Sequence, residues 1–140
     1  MWILYAFISA FFAGLTAIFG KIGLKHIDST LATTVRAFIM AGFLGITALF
    51  LKKFQGFSIS SFSNKEWLFV ILSGVAGAMS WLFYFYALKS GSALGVSVID
   101  RLSIIFVFIL AVMFLGESLT LPKVIGVILI ALGAFLTTLK

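Results

Sequence analysis

The chain has 140 residues, of which 63% are hydrophobic and 10% charged, with a mean hydropathy of +1.27 and a formal net charge of +6. Four acids and ten Lys/Arg residues cannot cover the surface of a soluble domain of this size, so the composition reads as an integral membrane protein. The lysines are spread among connecting segments and form no patch, which argues against nucleic acid, and the lack of cysteine excludes disulfides, thiolate nucleophiles and sulfur-ligated metals.

A bilayer core about 30 Å thick takes about 20 apolar residues per helix. Five such runs follow along the chain, at approximately 2–20, 30–51, 66–88, 92–115 and 121–139. They predict an all-α, multi-pass membrane protein: a bundle of five transmembrane helices forming a single domain over 1–140. Span one lacks a basic leader and is longer than a secretory apolar core, so it is expected to be an uncleaved helix. Span two is preceded by Asp28, Ser29 and Thr30 as candidate caps and is interrupted only by Arg36. The longest connection, Lys52 to Lys65, is rich in Ser and Phe and is expected along the membrane interface. Ser63 and Glu66 have capping-box spacing ahead of span three. Gly91 and Gly116 close spans three and four, and Thr120 with Pro122 opens span five, where Lys123 is placed to snorkel. The last two connections are short, which predicts antiparallel neighbouring helices.

An odd number of spans puts the termini on opposite sides. Loops one and three and the C-terminus carry Lys21, Lys25, Lys89 and Lys140; the other side carries Lys52, Lys53, Lys65 and Lys123. The lysines balance four against four, and adding Arg36 and Arg101 to the nearer side gives six against four. Orientation follows from asymmetry in such charges, and here there is little. Two readings stand: one orientation set by local sequence or a partner, or insertion both ways followed by antiparallel pairing.

Charge inside a membrane is costly and points to function. Arg36 lies about two turns into span two, and Asp100 and Arg101 about two turns into span four. Both spans start from the same side, so the three share a depth. Asp100 and Arg101 point about 100° apart and do not pair with each other; an Arg36–Asp100 pair fits the geometry and leaves Arg101 as spare positive charge. Ser73, Gly77, Trp81 and Tyr84 fall on one face of span three, with Ser80 beside them, and Ser97, Asp100 and Ser103 form a stripe on span four. Arg36, Trp81, Tyr84, Asp100 and Arg101 are therefore the candidate substrate-binding residues. The bland alternative is that the arginines reach headgroups and one neutralises Asp100. Glu117 and His26 read as solvated loop residues, and a lone histidine is no metal site.

Ala37, Ala41 and Gly45, and likewise Gly74 and Ala78, form small-residue series that suit helix packing. Gly126 and Gly133 share one face of the aliphatic span five and are the candidate dimer contact.

The run Trp81-Leu-Phe-Tyr-Phe-Tyr-Ala-Leu-Lys-Ser-Gly, then Ile99-Asp-Arg-Leu-Ser, then Phe114-Leu-Gly-Glu-Ser-Leu-Thr, resembles the EamA domain of the drug/metabolite transporter superfamily. Lys21-Ile-Gly-Leu and the start of span two around Arg36 fit the same pattern, so the resemblance covers essentially the whole chain. It implies the single-domain, five-helix type, in a prokaryotic cell (inner) membrane. It also implies an inverted arrangement, reached as an antiparallel homodimer or as a heterodimer with a related subunit. Gly126 and Gly133 resemble the glycine dimer motif of the small multidrug resistance proteins. Those four-helix relatives use a first-helix glutamate, whereas span one here offers only Tyr5, Ser9 and Thr16 as polar side chains, so their proton-coupled mechanism does not carry over. Many EamA domains have proline after the Leu-Ser of span four; Ile104 stands there, so no proline kink is expected.

The expected function is transport of a small metabolite or drug by alternating access. The rivals are a non-transporting accessory membrane subunit and a component of a lipid-linked substrate flippase. No nucleophile–base constellation, metal cluster or phosphate loop points to an enzyme, and no cofactor is implied. The charge sum of Arg36, Arg101 and Asp100 favours an anionic or zwitterionic group over a bare cation.

Overall fold

The computed structural model describes residues 1–58 and 61–139; Lys140, placed above on the loop-one side, and Ile59 and Ser60 of the long connection lie outside the described residues. Those described form six helices and no strand: α1 (Trp2–Gly23), α2 (Ser29–Phe50), α3 (Asn64–Ser90), α4 (Ala93–Asp100), α5 (Ser103–Leu115) and α6 (Leu121–Leu136). Helices α1, α2, α3 and the stretch Ala93–Leu115 are each long and apolar enough to cross a membrane. Their outward side chains include Phe7, Phe38 and Phe114, each more than 70% exposed. Such a surface needs hydrocarbon around it, and helices suit it because they satisfy their own backbone polar groups.

Local chemistry sets most helix ends. Asp28 caps α2 by accepting from the backbone N–H of Thr30 at 2.9 Å and of Leu31 at 3.0 Å. Those bonds, Leu31's first, hold the Asp28 carboxyl below the usual aspartate range. The capping box ahead of α3 forms as expected: Ser63 N–H donates to Glu66 Oε2 at 2.7 Å, and Glu66 N–H to Ser63 Oγ at 3.3 Å. Gly116 ends α5 with φ of 65°, a conformation that favours glycine. Gly91 follows α3 without adopting a positive φ, unlike Gly116. Ser92 then caps α4 through Gly95 N–H at 3.0 Å.

Two ends differ from expectation. Span four is broken: Arg101 and Leu102, with ψ near −14°, form a tight turn between α4 and α5. Neither proline nor glycine causes it. Three-residue hydrogen bonds replace the α-helical pattern on both sides, from Arg101 N–H to Val98 O (3.1 Å), Leu102 to Ile99 (2.9 Å), Ile104 to Arg101 (3.1 Å) and Ile105 to Leu102 (3.0 Å). Span five also ends early, since α6 has 16 residues and stops at Leu136. Thr137 and Thr138 turn their hydroxyls onto the carbonyls of Ala134 (2.8 Å) and Phe135 (2.7 Å), and the last turn tightens. At 1.5 Å per residue α6 is about 24 Å long, short of a 30 Å core.

The chain divides into two compact units, residues 22–89 and residues 1–21 with 90–140. The first is the hairpin of α2 and α3. Helix α2 ends with Lys52 at φ of 54°, and Lys53 N–H reaches back to Ala48 O at 2.9 Å, a left-handed cap carried by a lysine. The following connection is aromatic: Phe54, Phe57, Phe62 and Trp67 follow one another ring to ring at 5.4–6.3 Å. Such rings beside Lys52, Lys53 and Lys65 suit the headgroup level. In the second unit α6 packs against both α4 and α5. There Lys21, in the last turn of α1, donates to Gly91 O at 2.8 Å.

Candidate functional site

In the α2–α3 hairpin, the start of α2 lies beside the end of α3. Lys89 Nζ reaches Ile27 O at 3.4 Å, and the Thr30 and Tyr86 hydroxyls share a hydrogen bond of 2.6 Å. Below them the Arg36 guanidinium carbon lies over the Trp81 ring, 3.6 Å from its centroid, and 5.3 Å from that of Phe85. Going from Thr30 to Arg36 on α2 matches going back from Tyr86 to Trp81 on α3, as an antiparallel pair requires. Trp81, Tyr84 and Phe85 brace one another at centroid distances of 5.5–6.2 Å. Phe85 and, one turn on, Leu88 are buried.

The hairpin brings Arg36 to Trp81, with Tyr84 beside that ring; of the other span-three residues expected on or beside this face, Ser73 and Ser80 are exposed. Two participants were not singled out from the sequence. Phe85 stands four residues after Trp81, so helical spacing alone places it on the same face. The Thr30–Tyr86 bond depends on two helices 56 residues apart, which no local pattern reveals. Ser29 is fully buried and its hydroxyl finds no partner.

The guanidinium is only partly compensated. A cation over an aromatic face gains about 0.5–2 kcal/mol, whereas taking an ion out of water costs several kcal/mol. Within this unit, Asp28 is committed to the α2 cap and Glu66 to the α3 cap.

In the other unit, Asp100 ends α4 and Arg101 begins the turn before α5; both are exposed. Each therefore stands where the α-helical hydrogen-bond pattern tightens to three-residue bonds. Such broken helices occur where a membrane protein lines a cavity or binds a ligand. A groove of about 350 Å³ runs between α5 and α6, with Ile104, Phe108 and Gly126 among its walls and Glu117 and Lys123 at one end. Glu117 and Lys123 pair at 3.4 Å, but both are about half exposed, so the bond adds little. A Cβ placed at Gly126 or Gly133 would meet no atom within 4 Å, and the same is true of Gly45 and Gly74. Gly126 lines the groove; Gly133 lies beyond its walls.

Residues 1–139 match the EamA-like transporter family. The chain belongs to that family. It is 44% identical over 135 residues to an uncharacterized transporter in the cobO 3′ region of a Sinorhizobium species, covering 96% of this chain and 94% of that protein. It is also 33% identical over 72 residues to an uncharacterized protein of Methanocaldococcus jannaschii, about half of each chain (51% and 53%). No solved structure matches the chain. Membership makes this a multi-pass membrane protein of a transporter family, which is what the long apolar helices require. Arg36 lies about two turns inside the long apolar helix α2.

Proposed function

We propose that this EamA-family protein carries a small metabolite or drug, chemically unchanged, across a prokaryotic inner membrane by alternating access. Arg36, Trp81 and Tyr84 recognise the substrate in the α2–α3 unit. Asp100 and Arg101 are the polar groups it meets in the α4–α6 unit, where the tight turn lets α4 and α5 change angle. Two protomers associate as an antiparallel homodimer, with Gly126 and Gly133 of α6 at the contact. The balance of four lysines against four supports insertion in both orientations. Open space over both glycines supports a close helix approach.

The single observation that carries the reading is Arg36 over Trp81, because a transporter uses an intramembrane charge that a merely structural helix pair would avoid. Liposomes loaded with a bacterial metabolite extract test it. Mass spectrometry should find at least one compound leaving faster through wild-type protein than through Arg36→Gln or Asp100→Asn inserted to the same level. Release no faster than from protein-free liposomes would sink the transport reading.

A further inference from the structure

We propose that Arg36 is an oxyanion site: its guanidinium, held against Trp81, takes the two oxygens of a carboxylate or phosphate group on the transported molecule. This names the substrate class for the transport reading above and rests on it for the source of the anion.

Three features of the hairpin lead there. First, the guanidinium carbon is 3.6 Å from the Trp81 centroid, so its charge rests on a ring, which attracts a cation without neutralising it. Second, the unit supplies no counterion. Asp28 is bound to backbone N–H groups of Thr30 and Leu31, and Glu66 to Ser63. Third, the hydroxyls near the start of α2 are turned to other partners, and a neutral hydroxyl, Tyr84's included, does not neutralise a guanidinium. Thr30 and Tyr86 are bonded to each other, and Thr33 and Thr34 donate to the carbonyls of Ser29 and Thr30. Among the described residues of the unit, the guanidinium faces the Trp81 and Phe85 rings, with Tyr84 as its electrostatic neighbour, and no carboxylate.

An arginine does not shed its proton to escape such a setting, and its five N–H groups lie in one plane that matches a two-oxygen anion. A guanidinium whose carbon is 3.6 Å from the Trp81 centroid has room to lie flat on the ring, which would leave its edge N–H groups for hydrogen bonds. The rings of Trp81, Tyr84 and Phe85 shield one side of the half-buried guanidinium, which strengthens a charged hydrogen bond and suits an anion with an apolar body. A bare cation meets only repulsion from Arg36. The same chemistry is found in a lipid headgroup phosphate, so the test separates a soluble anion from a lipid.

Of the three tryptophans, Trp2 and Trp67 are changed to Phe, leaving Trp81 as the only indole emitter. The full-length protein in dodecyl maltoside, which contains no phosphate, is titrated with butyrate, with uncharged butyramide and with inorganic phosphate. Butyrate and phosphate should change Trp81 emission saturably. Butyramide should bind about tenfold more weakly or worse, and Arg36→Gln should lose about tenfold or more in butyrate affinity. The butyrate–butyramide comparison uses unaltered Arg36 and needs no variant to fold there. In phosphatidylglycerol nanodiscs the soluble anions should still bind. A response to phosphatidylglycerol alone would make Arg36 a headgroup clamp and overturn the proposal. So would equal responses to butyrate and butyramide, or undiminished binding by folded Arg36→Gln. Butyrate binding without flux in the liposome assay would uphold the oxyanion site and remove the transport reading; flux without anion binding would do the reverse.

Discussion

Lys52 shows at residue scale how the chain tolerates strain where water is near. It occupies a left-handed conformation at the end of α2, with φ of 54°, which glycine adopts freely. Lys52→Gly is expected to stabilise the protein by about 1 kcal/mol, because the left-handed cap no longer opposes a Cβ. Thermal unfolding in detergent checks this, and a lower midpoint would contradict it. Arg36 is the opposite case, a charge held where water is scarce. Trp81→Leu removes the ring beneath it and should weaken anion affinity in the same direction as Arg36→Gln, though less, since the guanidinium remains; equilibrium dialysis with labelled butyrate reads both. Arg36 and Trp81 were legible from the sequence because a charge inside an apolar run and a polar-aromatic face are visible without coordinates. Their contact was not legible, because it depends on the rotation of two helices about their own axes.

At the scale of elements, helix starts were readable because capping is local. Asp28, Ser63 and Glu66 act within three residues of the groups they bond. The Asp28 cap has a pH signature. Its folded pKa lies below that of an unfolded aspartate, ~3.9, so its contribution is complete above that value and is lost as pH falls through the folded one. Thermal melts between pH 6 and pH 3 should therefore fall more steeply for wild type than for Asp28→Asn, which caps without titrating. Parallel curves would remove Asp28 from the acid response. The break in span four was not readable. Its turn at Arg101 and Leu102 contains no proline or glycine and is expressed only in three-residue hydrogen bonds. Such bonds are poorer than α-helical ones. Hydrogen exchange within 93–115 should be fastest across Arg101–Ile105, and uniform protection of the segment would argue for one continuous helix. The early end of α6 has a clearer origin, since threonine hydroxyls at 137 and 138 compete for its last carbonyls.

For the whole molecule, membership of the EamA-like transporter family and the long apolar helices agree on a multi-pass membrane protein. If α6 also crosses, the number of spans is odd, and what that does with balanced lysines is the larger consequence of the proposed function. In the proposed pair each protomer would supply one Arg36, one Trp81 and one span four, and the inverted partner the same parts facing the opposite side. In the proposed antiparallel homodimer, alternating access would arise from two equivalent half-open states of one pair. The absence of cysteine makes this directly measurable. Lys25→Cys in the first loop and Ser118→Cys before α6 are made separately and treated on intact cells with a membrane-impermeant maleimide. An inverted homodimer predicts that each variant is labelled from outside in roughly half of its copies, because weak charge bias permits both insertions. Labelling of one variant completely and the other not at all would contradict it, and would mean a single orientation.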